Sequence, residues 1–139
     1  MESNAALGLE WTTLQNNYER YEIGALMVKL TAVVLFFTGV AIGLEPWLAC
    51  LVVLVLWLQE AIFKTYQSRL GERLLQVEQL LVTGAGPQDQ AFQLHSAWLA
   101  QRKAMAGLLA EYAASAGRPT VAFPYVVLLL LDLVLMLLV

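Results

Sequence analysis

The sequence predicts an all-α integral membrane protein with three transmembrane helices, at about 23–44, 46–63 and 121–139. Long apolar runs at these positions each approach the roughly 20 residues that a helix needs to cross a hydrocarbon core of about 30 Å. The composition agrees, because 60% of the 139 residues are hydrophobic and 14% are charged, against about 45–50% and about 25% in soluble domains. In addition, the basic residues fall on or near one side of the predicted spans.

The N-terminal segment, 1–22, is predicted to form a cytoplasmic amphipathic helix that leads into the first span, with residues 1–9 frayed. Trp11, Leu14 and Tyr18 recur at spacings of three and four, which is the period of one helix face. The segment begins with acidic rather than basic residues, so it is not expected to be a secretory signal peptide.

The first two spans are predicted to form a transmembrane helical hairpin over 23–63. Only Glu45 and Pro46 separate them, so the turn is tight and the two helices are antiparallel neighbours. Near that turn, Gly39 and Gly43 form a GxxxG motif, which lets another helix approach closely in lipid. The expected partner of these glycines is the second span, and a neighbouring copy of the chain is the alternative.

A cytoplasmic helical hairpin is predicted for 64–120. The helical period of the second span continues to about residue 83, a Gly–Pro cluster at 84–87 ends it, and a further helix follows over about 88–116. Apolar residues of the two helices are expected to meet in a seam, with ordinary two-helix packing as the alternative to a heptad coiled coil. The predicted seam residues are Leu70, Leu74, Val77, Leu94, Trp98 and Met105.

Lys29 and Glu60 are the charged residues inside the first two predicted spans. Lys29 lies 16 residues before Glu45, and Glu60 lies 15 residues after it. In an antiparallel hairpin the two side chains therefore reach nearly the same depth, which predicts an ion pair or shared snorkelling toward the cytoplasm. We expect this pair to set the register of the hairpin, and a proton or ion pathway is the alternative.

The third span, 121–139, carries a single acidic residue, Asp132, in an otherwise leucine-rich run. An acid near the bilayer midplane is costly and is a functional candidate. No basic residue of the chain matches its depth. Three interpretations remain open: a contact in an assembly, a proton-linked role, and a tolerated protonated acid.

The distribution of basic residues predicts the orientation. Six of the eight lie between the second and third spans, and the other two, Arg20 and Lys29, lie near the same side. The positive-inside rule therefore places the N-terminus and the 64–120 loop in the cytoplasm and the C-terminus outside. Short turns and leucine-rich spans suggest a multi-pass protein of a bacterial inner (plasma) membrane.

Few enzymatic chemistries fit this sequence. It holds one cysteine, one histidine, and no phosphate-binding loop, nucleophile elbow or metalloprotease motif. We therefore expect no catalytic residues, cofactor or metal, and the net charge of −3 argues against nucleic acid as a partner. The favoured function is a small membrane scaffold or accessory subunit, homo-oligomeric or bound to a larger membrane complex. The alternative is a homo-oligomeric ion or proton channel that uses Asp132, Lys29 and Glu60.

Overall fold

The computed structural model of the chain describes residues 2–84, 91–94, 96 and 105–139. Within these ranges the secondary structure is helical, and no strand occurs among them. The helices with described bounds are α1 (Glu2–Ala41), α2 (Pro46–Thr83), α3 (Met105–Ala116) and α4 (Pro119–Leu138). Three of them, α1, α2 and α4, are long and apolar enough to cross a membrane. The prediction of an all-α chain with three such helices is confirmed.

Helices α1 and α2 contact each other along most of their lengths. They have 40 and 38 residues, and a helix of that size is about 60 Å long. Trp11 Nε1, near the start of α1, donates to Glu78 Oε1, near the end of α2, at 2.9 Å. Further along, Gln67 Nε2 donates to the Tyr18 carbonyl oxygen at 3.3 Å. Residues early in α1 thus meet residues late in α2, which is the order of an antiparallel pair.

The turn between α1 and α2 corrects the prediction for the GxxxG motif. Helix α1 ends at Ala41, and Gly43 has a φ of 75°. The Gly43 amide donates to the Val40 carbonyl at 3.1 Å, and the Leu44 amide donates to the Gly39 carbonyl at 2.8 Å. This is the hydrogen-bond pattern of a Schellman motif with a left-handed glycine after the helix. Gly43 therefore ends α1 and does not form a packing surface with Gly39.

The nearest atoms around these glycines do not belong to a second helix. A Cβ on Gly39 would meet the side chain of Leu44 at 3.1 Å, and a Cβ on Gly43 would have nothing within 4 Å. The structure therefore does not support the expected contact with the second span, and contact with a neighbouring copy of the chain stays a prediction.

Two apolar clusters form the core. One surrounds the turn-proximal halves of the helices, and its buried members are Ala32, Phe36, Ala49, Val53, Tyr125 and Leu128. The other lies at the opposite end of α1 and α2, and its buried members are Leu7, Leu14, Leu70, Leu74, Val77 and Ala91. The second cluster joins α2 to the N-terminal part of α1, where Leu7 is buried, and residues 2–9 are helical rather than frayed as predicted.

The predicted seam is partly corrected by this second cluster. Leu70, Leu74 and Val77 are buried as expected, and Leu94 packs against them half-buried. However, their neighbours include Leu7 and Leu14 of α1, because α1 extends far enough to cover the same face of α2. Met105 is 78% exposed and does not belong to the seam. Trp98 lies outside the described residues.

The helix predicted over 88–116 also requires correction. Residues 91 and 92 form a turn and residue 93 is not helical, whereas residues 94 and 96 and the segment Met105–Ala116 are helical. Phe92 has a φ of 57°, which is rare for a residue other than glycine. Its amide donates to Glu10 Oε2 at 2.6 Å. The buried Glu10 carboxylate therefore stabilises a turn where the sequence pattern favours a helix.

Polar contacts join helix α3 to α2. Thr65 Oγ1 and Ser115 Oγ share a buried hydrogen bond of 2.8 Å, and Arg69 pairs with Glu111 at 3.1 Å. Arg118, just after α3, donates to Ser68 Oγ at 3.1 Å. These contacts hold the end of α3 beside α2, where α4 begins.

We expect Gly43→Ala to lower the free energy of unfolding by about 1 kcal/mol, because an L-residue is strained in the left-handed conformation. Gly8→Ala is the matched control: a Cβ there meets nothing within 4 Å, and alanine is favoured over glycine inside a helix by roughly 0.5–1 kcal/mol. Unfolding by sodium dodecyl sulfate in mixed micelles measures both changes. An equal or greater loss for Gly8→Ala would contradict the assignment of Gly43 to the helix-ending turn.

Candidate functional site

The candidate site is a polar cluster between α1, α2 and α4, with Glu60 at its centre. Glu60 lies on α2 and is fully buried. Tyr125 Oη, from α4, donates to Glu60 Oε2 at 2.6 Å, and Lys29 Nζ, from α1, lies 3.0 Å from Glu60 Oε1. The structure therefore brings Lys29 and Glu60 together, as their equal distances from the turn predicted. Three helices contribute one polar side chain each, so we call this group the three-helix cluster.

Lys29 makes a second contact, which explains its orientation. Its Nζ donates to the Thr120 carbonyl oxygen of α4 at 2.8 Å. Pro124, four residues later inside α4, has no N–H to donate to that carbonyl. Lys29 thus satisfies a backbone acceptor that the proline leaves free.

The two contacts of Lys29 differ in kind. The contact with Glu60 Oε1 has the distance of an ion pair, but that buried oxygen has no hydrogen bond of good geometry. The directed hydrogen bond goes to Thr120 instead. With a side chain that is 22% exposed, Lys29 keeps part of its length at the surface while its ammonium group neutralises the buried carboxylate. Helix α1 is thereby connected to α2 by charge and to α4 by a hydrogen bond.

Aromatic packing fixes the position of Tyr125. The Tyr125 ring is fully buried and stacks on Trp57 of α2, with ring centroids 5.9 Å apart and an interplanar angle of 7°. Trp57 Nε1 in turn donates to the Ala116 carbonyl oxygen at the end of α3, at 3.2 Å. Because the ring is buried and stacked on Trp57, the Tyr125 hydroxyl is held toward Glu60 rather than free to rotate away.

A second polar layer lies outside the predicted spans. Lys64 Nζ is 2.7 Å from Glu22 Oε2, and Gln67 Nε2 donates to the same oxygen at 2.6 Å. The hydrogen bond from Lys64, followed by that from Gln67, holds the pKa of Glu22 below its usual value. Arg69, one turn further along α2, pairs with Glu111 of α3.

A third layer lies closer to the N-terminal end of α1. Arg73 Nε and Nη2 donate to the two oxygens of Glu10, at 2.7 Å and 3.2 Å. Both side chains are more than nine-tenths buried. This bidentate geometry is the strong form of an arginine–carboxylate pair. Together the three layers set the register of α1 against α2 at three heights.

Asp132 is placed differently from Glu60. It shares one face of α4 with Val121, Tyr125 and Leu128, and it is only 3% exposed. Its Oδ1 is buried without a hydrogen-bond partner. No basic partner within the chain was predicted for Asp132, and a contact in an assembly was one of the three open interpretations. Burial against the other helices argues against such a direct contact, because α4 would have to rotate to expose the carboxyl group.

The arrangement offers charge neutralisation and hydrogen bonding rather than an evident reaction centre. Among the described residues, no group of three or more histidine, cysteine, aspartate or glutamate side chains could hold a metal ion. Sequence reasoning missed Tyr125 and Thr120 as members of the three-helix cluster. The available signal was Pro124, which leaves one carbonyl of the preceding turn without its amide.

Comparison with known proteins adds no relative. No family model matches the chain, and neither curated proteins nor solved structures give a match.

The three-helix cluster predicts a strong coupling between Lys29 and Glu60. Lys29→Leu or Glu60→Leu alone leaves an uncompensated charge, and each is expected to lower the free energy of unfolding by about 3–5 kcal/mol. The double variant should recover most of that loss. Tyr125→Phe, which keeps the stack on Trp57, should lower the free energy of unfolding by about 1 kcal/mol. Additive losses in the double variant would contradict the pairing.

The lowered pKa of Glu22 predicts a pH-dependent contribution to stability. A carboxyl whose pKa is lower in the folded state contributes above its unfolded pKa, near 4.5, and loses that contribution as the pH falls through the folded value. The difference in stability between the wild type and Glu22→Gln should therefore be present at neutral pH and disappear in acid. Introducing Lys64→Met into both chains should reduce the pH-dependent difference, and an unchanged difference would exclude Lys64 as its main cause.

Proposed function

We propose that this protein is a small scaffold or accessory subunit of a bacterial inner membrane, which self-assembles or docks onto a larger membrane complex. In the proposed topology α1, α2 and α4 cross the bilayer. The N-terminus and the 64–120 segment are cytoplasmic, and the C-terminus is outside. The accumulation of lysine and arginine on one side of the apolar segments supports this orientation.

The observation that carries the proposal is that Lys29 and Glu60 bind within their own chain. A charged residue in a transmembrane helix is commonly part of a substrate or ion pathway. Here the Glu60 carboxylate is fully buried and contacts Lys29 and Tyr125, while Lys29 also binds the Thr120 carbonyl. These groups join helices rather than line a path, which favours a structural role.

The outer surface of the proposed spans supports contact with lipid or with other helices. Its large side chains are apolar and exposed on all three helices. Examples from each helix are Leu30, Val34, Phe37, Leu51, Leu54, Leu58, Leu130, Leu133 and Leu137.

Apolar side chains are also exposed outside the proposed spans. Leu75 and Val82 of α2 are 61% and 87% exposed, and they lie two helical turns apart on one face. Leu109 of α3 is similarly exposed. Apolar residues grouped on a water-facing surface are typical of protein contacts, so this region supports docking onto a partner.

A proton-linked or ion-conducting oligomer is the second candidate, and Asp132 is the observation that favours it. The Asp132 carboxyl is buried on α4, and its Oδ1 has no partner. A buried polar group without a hydrogen bond is costly and calls for an explanation such as a transported proton.

The first test is the mass of the purified protein in a mild detergent and in lipid nanodiscs. The scaffold proposal predicts a fixed oligomer, or a constant set of membrane proteins that copurify. Leu75→Glu together with Val82→Glu should weaken that assembly, whereas Leu130→Ala on the lipid-facing side of α4 is the control. The proposal would be contradicted if the protein were a monomer, with no copurifying protein, in both detergent and nanodiscs.

Proton and cation flux in proteoliposomes separates the two candidates. The scaffold proposal predicts flux equal to that of empty liposomes, for the wild type and for Asp132→Asn. Flux in the wild type that Asp132→Asn abolishes would instead establish the channel alternative.

A further inference from the structure

A small groove lies on the surface where α1 and α2 pass the proposed cytoplasmic border of the membrane. It has a volume of about 180 Å³ and is lined by Arg20, Tyr21, Gly24 and Phe63. Pockets for drug-sized ligands usually measure about 300–1,000 Å³. The groove is smaller and open to the outside, so it fits part of an extended hydrocarbon chain better than an enclosed small molecule.

Gly24 creates the groove, and the aromatic residues form its walls. A Cβ on Gly24 would lie 3.6 Å from the Phe63 ring, so the missing side chain leaves space directly beside that ring. Tyr21 packs edge-on against Phe63, with centroids 6.0 Å apart, and stacks on Tyr66 at 6.5 Å. The walls are therefore held in place by contacts among themselves.

Arg20 provides a positive charge that has no ion-pair partner among the described residues. Of the lysine and arginine side chains within the described ranges, four form ion pairs. Arg118 instead donates to Ser68. Arg20 is exposed and has neither kind of contact there. An arginine guanidinium can donate two parallel hydrogen bonds to a phosphate group.

The order of these residues along α1 matches the layers of a membrane. Arg20 and Gly24 are four residues apart, so they lie on the same face, separated by one turn of about 5.4 Å. Arg20 is on the cytoplasmic side of that turn and Gly24 is on the side of the apolar span. In the proposed topology the Arg20 guanidinium lies at the level of the lipid headgroups. The apolar groove beside Gly24 lies one turn deeper, where the acyl chains begin.

We propose that this groove binds an anionic phospholipid of the cytoplasmic leaflet. Arg20 binds the phosphate, Tyr21 lies at the glycerol level, and the first part of an acyl chain occupies the space beside Gly24 and Phe63. The site rests on the membrane topology proposed above. A free phosphate would use Arg20 alone, whereas only a lipid uses the cation and the apolar groove together.

The test is lipid retention by the full-length protein. The protein is reconstituted in nanodiscs that contain equal amounts of phosphatidylglycerol and phosphatidylcholine, then transferred to a mild detergent, and the lipids that remain bound are identified by native mass spectrometry. We expect the wild type to retain phosphatidylglycerol preferentially. Arg20→Gln should reduce that preference about fivefold, since a basic residue near an anionic membrane contributes about 1 kcal/mol. Arg20→Lys should preserve most of it.

Gly24→Ala tests the groove without removing a charge. The added Cβ lies at ordinary contact distance from Phe63, and alanine is the better helix former, so the variant should fold at least as well as the wild type. We expect it to retain less of both lipids at an unchanged or higher melting temperature. Retention equal to that of the wild type would overturn the proposal.

Arg118→Gln is the control for charge alone. Arg118 is exposed in the same proposed cytoplasmic region but binds Ser68 rather than the groove. Its replacement should leave the preference for phosphatidylglycerol unchanged, and a loss equal to that of Arg20→Gln would show only a diffuse attraction to anionic lipid. Glycerol phosphate, which has a headgroup but no acyl chain, should fail to displace the lipid. Displacement would indicate a simple anion site and would overturn the proposal.

Extraction with alkaline carbonate separates this site from the proposed function. A wild-type chain that remains in the membrane yet shows no preference for phosphatidylglycerol would overturn the lipid site alone. A wild-type chain that alkaline carbonate removes from membranes would overturn both the lipid site and the proposed membrane topology.

Discussion

The neutralisation of Glu60 is the constraint on which the rest of the structure depends. A carboxylate that is fully buried between apolar helices is unstable unless positive charge and hydrogen-bond donors surround it. Lys29 supplies the charge from α1, and Tyr125 supplies a hydroxyl from α4. The three side chains come from three different helices, so a shift of α1 or α4 along α2 would break a polar contact. The polar contacts therefore favour a single register of the three helices.

The same constraint separates the structural acid from the candidate functional one. Glu60 and Asp132 are both buried, but only Glu60 has a cation beside it. Pro124 adds to the difference, since it leaves a carbonyl on α4 that Lys29 occupies, so Lys29 is already bound on two sides. Asp132, further along the same face of α4, keeps an oxygen without a partner. The first arrangement supports the proposed scaffold role, and Asp132 is the residue on which the proposed proton-linked alternative depends.

The sequence predicted those features that depend on distance along the chain. The all-α class and the apolar lengths followed from composition and run length, and Lys29 met Glu60 because both are nearly equidistant from one tight turn. Features that depend on how separate helices meet were not predictable. Tyr125 joins Glu60 only because α4 packs with that face inward. Gly43 fitted a packing motif by spacing, yet it has the positive φ that ends a helix. The turn at Phe92 depends on the distant Glu10 carboxylate, which a local pattern does not reveal.

The most direct test of this account is the dipolar coupling between the Lys29 side-chain nitrogen and the Glu60 carboxyl carbon, measured by solid-state NMR with the protein in lipid bilayers. The account predicts a strong coupling, consistent with the Nζ to Oε1 distance of 3.0 Å, and no magnetisation transfer from water to the Glu60 carboxyl. Absence of the coupling, or a Glu60 carboxyl in contact with water, would contradict the claim that this pair holds the three helices together.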